Sequence, residues 1–240
     1  MMRANNILIA AGFVWLLVSF WNRNDLPGDI DYVAEIANEP EQTATREESF
    51  HATVNNVEYL IEPEYAYDLT GMVVSYRQHE GNSRMHLQAN DHLNMADVCV
   101  VWGANTGSDL QAIDFWNGIF TCNVFTRDMQ AWESFDMDQL SNNHLISDDD
   151  FIRDQVRDIQ IGDQVRFRGY LASYSNQSGG KRGTSTTRTD TGDGACETVF
   201  VEYFDIVQPA TSFWRISMWT SLALLLLGLI VHFRRPYRPF

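Results

Sequence analysis

Two uncharged apolar runs, one near each end of the chain, constrain this sequence more than any other feature. Ile7–Trp21 reads ILIAAGFVWLLVSFW, and Ile216–Phe233 reads ISMWTSLALLLLGLIVHF. The second run is 18 residues long, enough for a helix to cross the hydrocarbon core of a bilayer. The first, at 15 residues, is also the length of a signal-peptide core. It leaves through Ser19-Phe20-Trp21-Asn22-Arg23, with bulky residues where a signal peptidase needs small ones, so it reads as an uncleaved anchor. Neither run carries the polar face of a helix packed on a soluble core. The expectation is two transmembrane helices, at 7–22 and 214–233, with a short amino-terminal segment 1–6 and a basic tail 234–240.

Flanking arginines orient the pair. Arg3, Arg234, Arg235 and Arg238 lie on the side of the termini, against Arg23 and Arg215 on the side of the central segment. The positive-inside rule then puts both termini in the cytoplasm and the central domain in the periplasm or outside the cell. Trp21 and Trp214 would sit at the outer interface and Tyr237 at the inner one.

The central segment is strongly acidic. All 32 Asp and Glu residues fall between Asp25 and Asp205, with 11 of the 17 Lys and Arg, a balance of 11 − 32 = −21. Such a surface stays soluble and repels nucleic acid, which is excluded as a partner. Three cysteines, Cys99, Cys122 and Cys196, lie in the same segment without CxxC or zinc spacing. An oxidising compartment permits one disulfide, Cys99–Cys122 or its rival Cys122–Cys196.

Residues 23–56 hold Pro27 and Pro40 among acidic and small polar residues, and read as a loose acidic linker. From about Val57 the texture turns β-rich: Tyr67–Tyr76, Asp97–Trp102, Gly118–Thr126, Gln164–Tyr170 and Glu197–Val207 read as five strands. In the fourth, Val165, Phe167, Gly169 and Leu171 point one way, and Gln164, Arg166, Arg168 and Tyr170 the other. Gly162-Asp163 supplies the turn before it. Between the third and fourth strands, Ser147 and Asp150 form an acidic version of a capping box. Phe151, Ile152, Gln155, Val156 and Ile159 follow at helical spacing, and Trp132, Phe135 and Leu140 suggest a shorter helix before them.

The order of these elements and the segment IGDQVRFRGYLASY resemble the OB-fold, the five-stranded Greek-key barrel of oligonucleotide- and oligosaccharide-binding proteins. Gly162, Asp163, Val165 and Gly169 match a turn that opens a strand with a mid-strand glycine, and Gly71 resembles the glycine at which the first strand curls. The resemblance is one of fold, over about Tyr67–Val207. It implies a mainly β domain with one or two helices, a small OB-like barrel at 57–208 flanked by the two membrane helices.

OB-folds bind through one sheet face and the loops joining strands one to two and four to five. Here those loops are Arg77–Asn94, with His79, Arg84, His86, Asp91 and His92, and Ser173–Ala195, with Lys181, Arg182 and Arg188. The candidate ligand or partner contacts are Arg84, His86, Lys181, Arg182 and Arg188, the last three being the main local cations of an acidic domain. The histidine spacings match no metal motif, Asp190, Asp193 and Glu197 lack the alternation of a calcium loop, and no G-x-S-x-G occurs. No metal, cofactor or catalytic residue is assigned. The expectation is a non-enzymatic, membrane-anchored envelope protein that binds a partner protein or a small anionic or glycan ligand. Its alternatives are an accessory subunit assembled through its membrane helices, and an enzyme whose residues converge only in the fold.

Overall fold

A computed structural model of the chain describes residues 2–79, 88–118, 121–187, 189 and 196–234. It divides into two units, Met1–Pro27 with Thr211–Phe240, and Gly28–Ala210.

The first unit is a helix pair, α1 (Met2–Trp21) and α4 (Phe213–Phe233). Trp15 Nε1 donates to Ser217 Oγ at 2.5 Å, Ser19 Oγ to the same oxygen at 3.1 Å, and a Cβ on Gly228 would meet Ile9 at 3.1 Å. Contacts of Ile9 with 228 and of Trp15 with 217 make the pair antiparallel. Among the described residues one helix, Phe213–Phe233, is long and apolar enough to cross a membrane, whereas the apolar part of α1, Asn5–Trp21, is shorter. The expectation of two spans is met for one of them.

The second unit is built around a strand of 22 residues, β3 (Val57–Gln78). Such a length serves two partners in turn. Its first half pairs with β8 (Gln164–Asn176) and its second with β4 (Asn94–Val101), the change falling at Met72. At Gly71, just before it, a Cβ would press on Val100 and on the Val101 carbonyl at 3.1 and 3.2 Å. From β4 the pairing continues antiparallel to β7 (Leu140–Ile146), parallel to β10 (Glu197–Gln208) and antiparallel back to β8. A ring of hydrogen bonds thus closes through five strands of a mixed, mainly β structure, compatible with a barrel-like fold. Val165, Phe167 and Leu171 are fully buried, as their alternation requires. Gly169 is obligatory for a different reason: a Cβ there would lie 1.9 Å from the Phe200 carbonyl oxygen, at an irregularity of β10. The Gly162-Asp163 turn forms with Gly162 at φ 93°, and Asp163 Oδ1 and Oδ2 accept from the amides of Ala210 and Gln160.

Three expectations are corrected. The segment read as a linker carries β1 (Glu41–Ala44) and β2 (Phe50–Val54), both paired with the first half of β3, and buries Ile36 and Ala52. These pieces lack a hydrophobic period because each contributes few core residues; an open edge on a long strand gives them their structure. Gln164, read as outward and polar, is buried against the stretch before β1, accepting from Val33 N at 2.8 Å and donating to Asp31 O at 2.7 Å.

The third correction concerns the third strand of the ring. Of Gly118–Thr126, residues 119–120 lie outside the described ones, and Cys122–Thr126 forms β6 of a separate hairpin with β5 (Ile113–Asn117). After a six-residue helix α2 (Met129–Ser134), the ring strand is β7, whose sequence LSNNHLI has no apolar alternation. Covered on both faces and paired on both edges, it buries Ser141, Asn142, Asn143 and His144. The helix α3 (Asp150–Arg157) follows, burying Ile152 and Val156 but leaving Phe151 exposed. Its N-cap is Asp149, which accepts from Phe151 N at 2.8 Å; Ser147 instead donates to Val201 O.

Candidate functional site

The described parts of the two long loops meet. Asn176 Nδ2 donates to Ala89 O at 2.9 Å, Asn90 Nδ2 to Ser178 Oγ at 3.2 Å, and the Tyr174 phenol to Asp91 Oδ2 at 2.9 Å. The Tyr59 phenol donates to Asn90 O and accepts from His92 N. Burial, then the neighbouring Asp91 carboxylate, pushes the Tyr174 hydroxyl well above its ordinary pKa, so it remains a donor. The base of the first loop is therefore pinned to the ends of β3 and β8.

Of the sequence-derived candidates, Arg84, His86 and Arg188 lie outside the described residues. Lys181 and Arg182 form the short strand β9 (Lys181–Arg182), paired with Ser175 and Tyr174. Lys181 is exposed, whereas Arg182 is half-buried, so its guanidinium belongs partly to the packing of this end of the fold. Cys99 and Cys122 are joined in a disulfide that fastens the β5–β6 hairpin to β4. The bridge joins two separate ladders, since Cys99 pairs across to Ser75 and Asn142, and Cys122 to Asn117. Burial raises the Cys196 thiol, which accepts from Asn142 Nδ2 at 3.4 Å.

A cluster absent from those candidates lies under the hairpin. His79, just past β3, places Nε2 2.7 Å from Asp97 Oδ2, and His144 Nδ1 contacts Asp97 Oδ1. All three side chains are at least nine-tenths buried. Their meeting follows from register: Asp97 stands opposite His144 on β7, and His79 continues the face of Ser75 and Arg77. Burial opposes the Asp97 charge, but hydrogen bonds from His144 and His79, and their charges, outweigh it and hold the carboxyl well below the usual carboxylate range. Beside it Asn117 Nδ2 donates to the Asp97 carbonyl, and Ser75 Oγ to Asn117 Oδ1 at 2.5 Å. The legible signal was a polar residue in an otherwise apolar run, Asp97 before VCVVW.

His79 also lines a polar cleft of about 600 Å³ with His92, Met95, Thr53, Asp148 and Arg157. Arg153 braces its wall, donating to the carbonyls of Leu93 at 3.3 Å, Ser147 at 2.8 Å and His92 at 3.1 Å. The cleft thus has a rigid frame made by the first loop's base, β2 and the start of α3. It can exchange hydrogen bonds and charge with a small polar ligand, and no described group of three or more His, Cys, Asp or Glu is placed to hold a metal ion.

A shallower hollow of about 540 Å³ spreads over β1, β3, β8 and β10, where Arg168 lies over the Tyr203 ring at 4.3 Å. Beside it Arg166 donates twice to Asp68, through Nε at 3.0 Å and Nη2 at 2.7 Å. Comparison with protein-family models, curated proteins and solved structures finds no match for the chain.

Proposed function

We propose that this protein is a membrane-anchored, non-enzymatic binding module of the cell envelope, with an OB-type domain on the non-cytoplasmic side and both helices crossing the bilayer. The ring order β3–β4–β7–β10–β8, with one parallel pair and a helix before β8, supports the OB assignment. For the spans, α1 runs antiparallel along α4, and its 20 residues amount to about 30 Å of helix, the thickness of a hydrocarbon core. The arginine balance supports the orientation.

The observation that carries the binding role is the polar cleft framed by the base of the first loop, β2 and the start of α3. Its histidines, Arg157 and the polar side chains of Thr53 and Asn55 suit a small anionic or glycan ligand, or an acidic side chain of a partner protein. The test is heteronuclear NMR on the full chain in nanodiscs, titrated with inorganic phosphate, glucuronic acid and chitobiose. A saturable shift at His92 and Thr53 that disappears in His92→Ala/Arg157→Ala is expected. Shifts confined to the helices would favour an accessory subunit assembled through its spans.

The meeting of His79, Asp97 and His144 favours a second reading, an enzyme whose acid–base residues converge only in the fold. Turnover of any of these probes that His79→Asn abolishes would replace the binding reading.

A further inference from the structure

The insertion between β4 and β7 presents two unlike faces. Inward, Asn117 and Cys122 fix it to the ring through the Ser75 hydrogen bond and the disulfide to Cys99, and Phe115 packs on Phe135 with ring centroids 5.7 Å apart. Outward, Trp116 and Phe125 lie on one side of the hairpin, because their cross-strand partners are Asn123 and Asp114 and residues alternate faces. They are 48% and 46% exposed. Met129, Trp132 and Met137, on and after the helix that packs against β6, are also at least 40% exposed. Large apolar side chains grouped on a rigid insertion signal an interaction surface, and Trp, Phe and Met are the residues that interfaces favour.

Charge identifies the occupant. Ile113–Gln139 holds five carboxylates, Asp114, Asp128, Glu133, Asp136 and Asp138, against one cation, Arg127. Asp114 stands directly opposite Phe125, on the outward side. An anionic lipid surface would be repelled. A second copy of this chain would bring the same carboxylates face to face, which is unfavourable at an interface. A protein segment with an apolar residue flanked by Lys or Arg satisfies both the aromatic side chains and the acidic rim.

We infer that the outward face of the β5–β6 hairpin, with the adjoining α2, docks a partner protein through a basic-flanked apolar segment. This surface is separate from the polar cleft, and its test does not depend on what the cleft binds. Holding the hairpin down by a disulfide and an asparagine network presents Trp116 and Phe125 ready-placed, so little conformational freedom is lost on docking.

The experiment is photo-crosslinking from benzoylphenylalanine at position 125 of the full chain in its native membranes, with the adduct sequenced by mass spectrometry. The expected adduct is a peptide of another protein in which an apolar residue is flanked by Lys or Arg. Its yield should fall about five-fold or more on Trp116→Ser, as for loss of an interface anchor, and on washing at about 0.5 M salt, where exposed charges are screened. Arg168→Ala, remote from the hairpin, should leave the yield unchanged. Retained protection of Cys99 and Cys122 from alkylation shows that the Trp116→Ser hairpin is still in place. An adduct with lipid, with a second copy of this chain or with a segment lacking basic flanks overturns the inference. So does the absence of an adduct, or a yield indifferent to Trp116→Ser with the disulfide intact.

Discussion

Asp97 and Asp68 are both strand carboxylates paired with nitrogen donors, yet they occupy opposite physical regimes. Asp97 is 1% exposed and is held by two buried histidines; Asp68 is 23% exposed and is held by Arg166 at the surface. The difference does not lie in residue type or in strand geometry. It comes from the chain between β4 and β7, which folds back as a hairpin over the face that carries Asp97 and leaves the face over β1, β3, β8 and β10 open. Excluding water turns a modest ion pair into one whose partners depend on each other.

That contrast is most directly broken by Asp97→Ala, which would leave two buried histidines without their carboxylate. Denaturant unfolding should show a loss of about 3–5 kcal/mol, the range for breaking a buried pair. Removing the cover should come next. Cys122→Ser, or reduction of the native chain, opens the disulfide across a separation of 23 residues and should cost about 2–4 kcal/mol. It should also expose Asp97 and His144 to solvent, read as faster hydrogen exchange on β4 and β7 but not on β8.

Acid sharpens the same comparison. The folded Asp97 carboxyl titrates below its unfolded value, so between the two values the unfolded chain binds the extra proton. Its stabilising contribution is complete above about pH 4, near the ordinary Asp value, and disappears as pH falls further. A plot of unfolding free energy from pH 5 to pH 2 should therefore be shallower in Asp97→Asn than in the native chain. The open face should respond least. Arg168→Ala removes a cation stacked on Tyr203 and should cost about 0.5–1 kcal/mol, and Asp68→Ala should cost about 1 kcal/mol or less, as for surface ion pairs. An Asp68→Ala loss as large as that of Asp97→Ala would refute the idea that the hairpin's cover sets the difference.

Much was legible before the structure. The shorter apolar helix within Asn5–Trp21 and the longer one at Phe213–Phe233 are visible as uncharged runs, because an apolar helix is written in a continuous stretch of sequence. The β8 alternation and the Gly162-Asp163 turn were equally plain, since period 2 and a positive φ are local requirements. The candidate site was legible only in part. The described parts of the two loops meet at their bases through Asn90, Asn176 and Tyr174, none of them a residue singled out in the sequence. Arg182, read as a ligand or partner contact in a loop, is half-buried in β9.

What the sequence determined alone, then, is whatever repeats within a few residues: the apolar end helices, the acidic central segment, the alternating strand and the glycine turn. What tertiary structure decided is whatever depends on cover. LSNNHLI became a buried ring strand because polar side chains can be hidden when neighbouring strands and a hairpin satisfy them, as Asn117 of the hairpin does for Asn142 and Asp97 of β4 does for His144. His79, Asp97 and His144 stand 18 and 47 residues apart along the chain, counted from Asp97. Only the register of β3 against β4 and of β4 against β7 brings them together. Hydrogen-bond register across strands is a property of pairs of segments, and no local period in either segment encodes it.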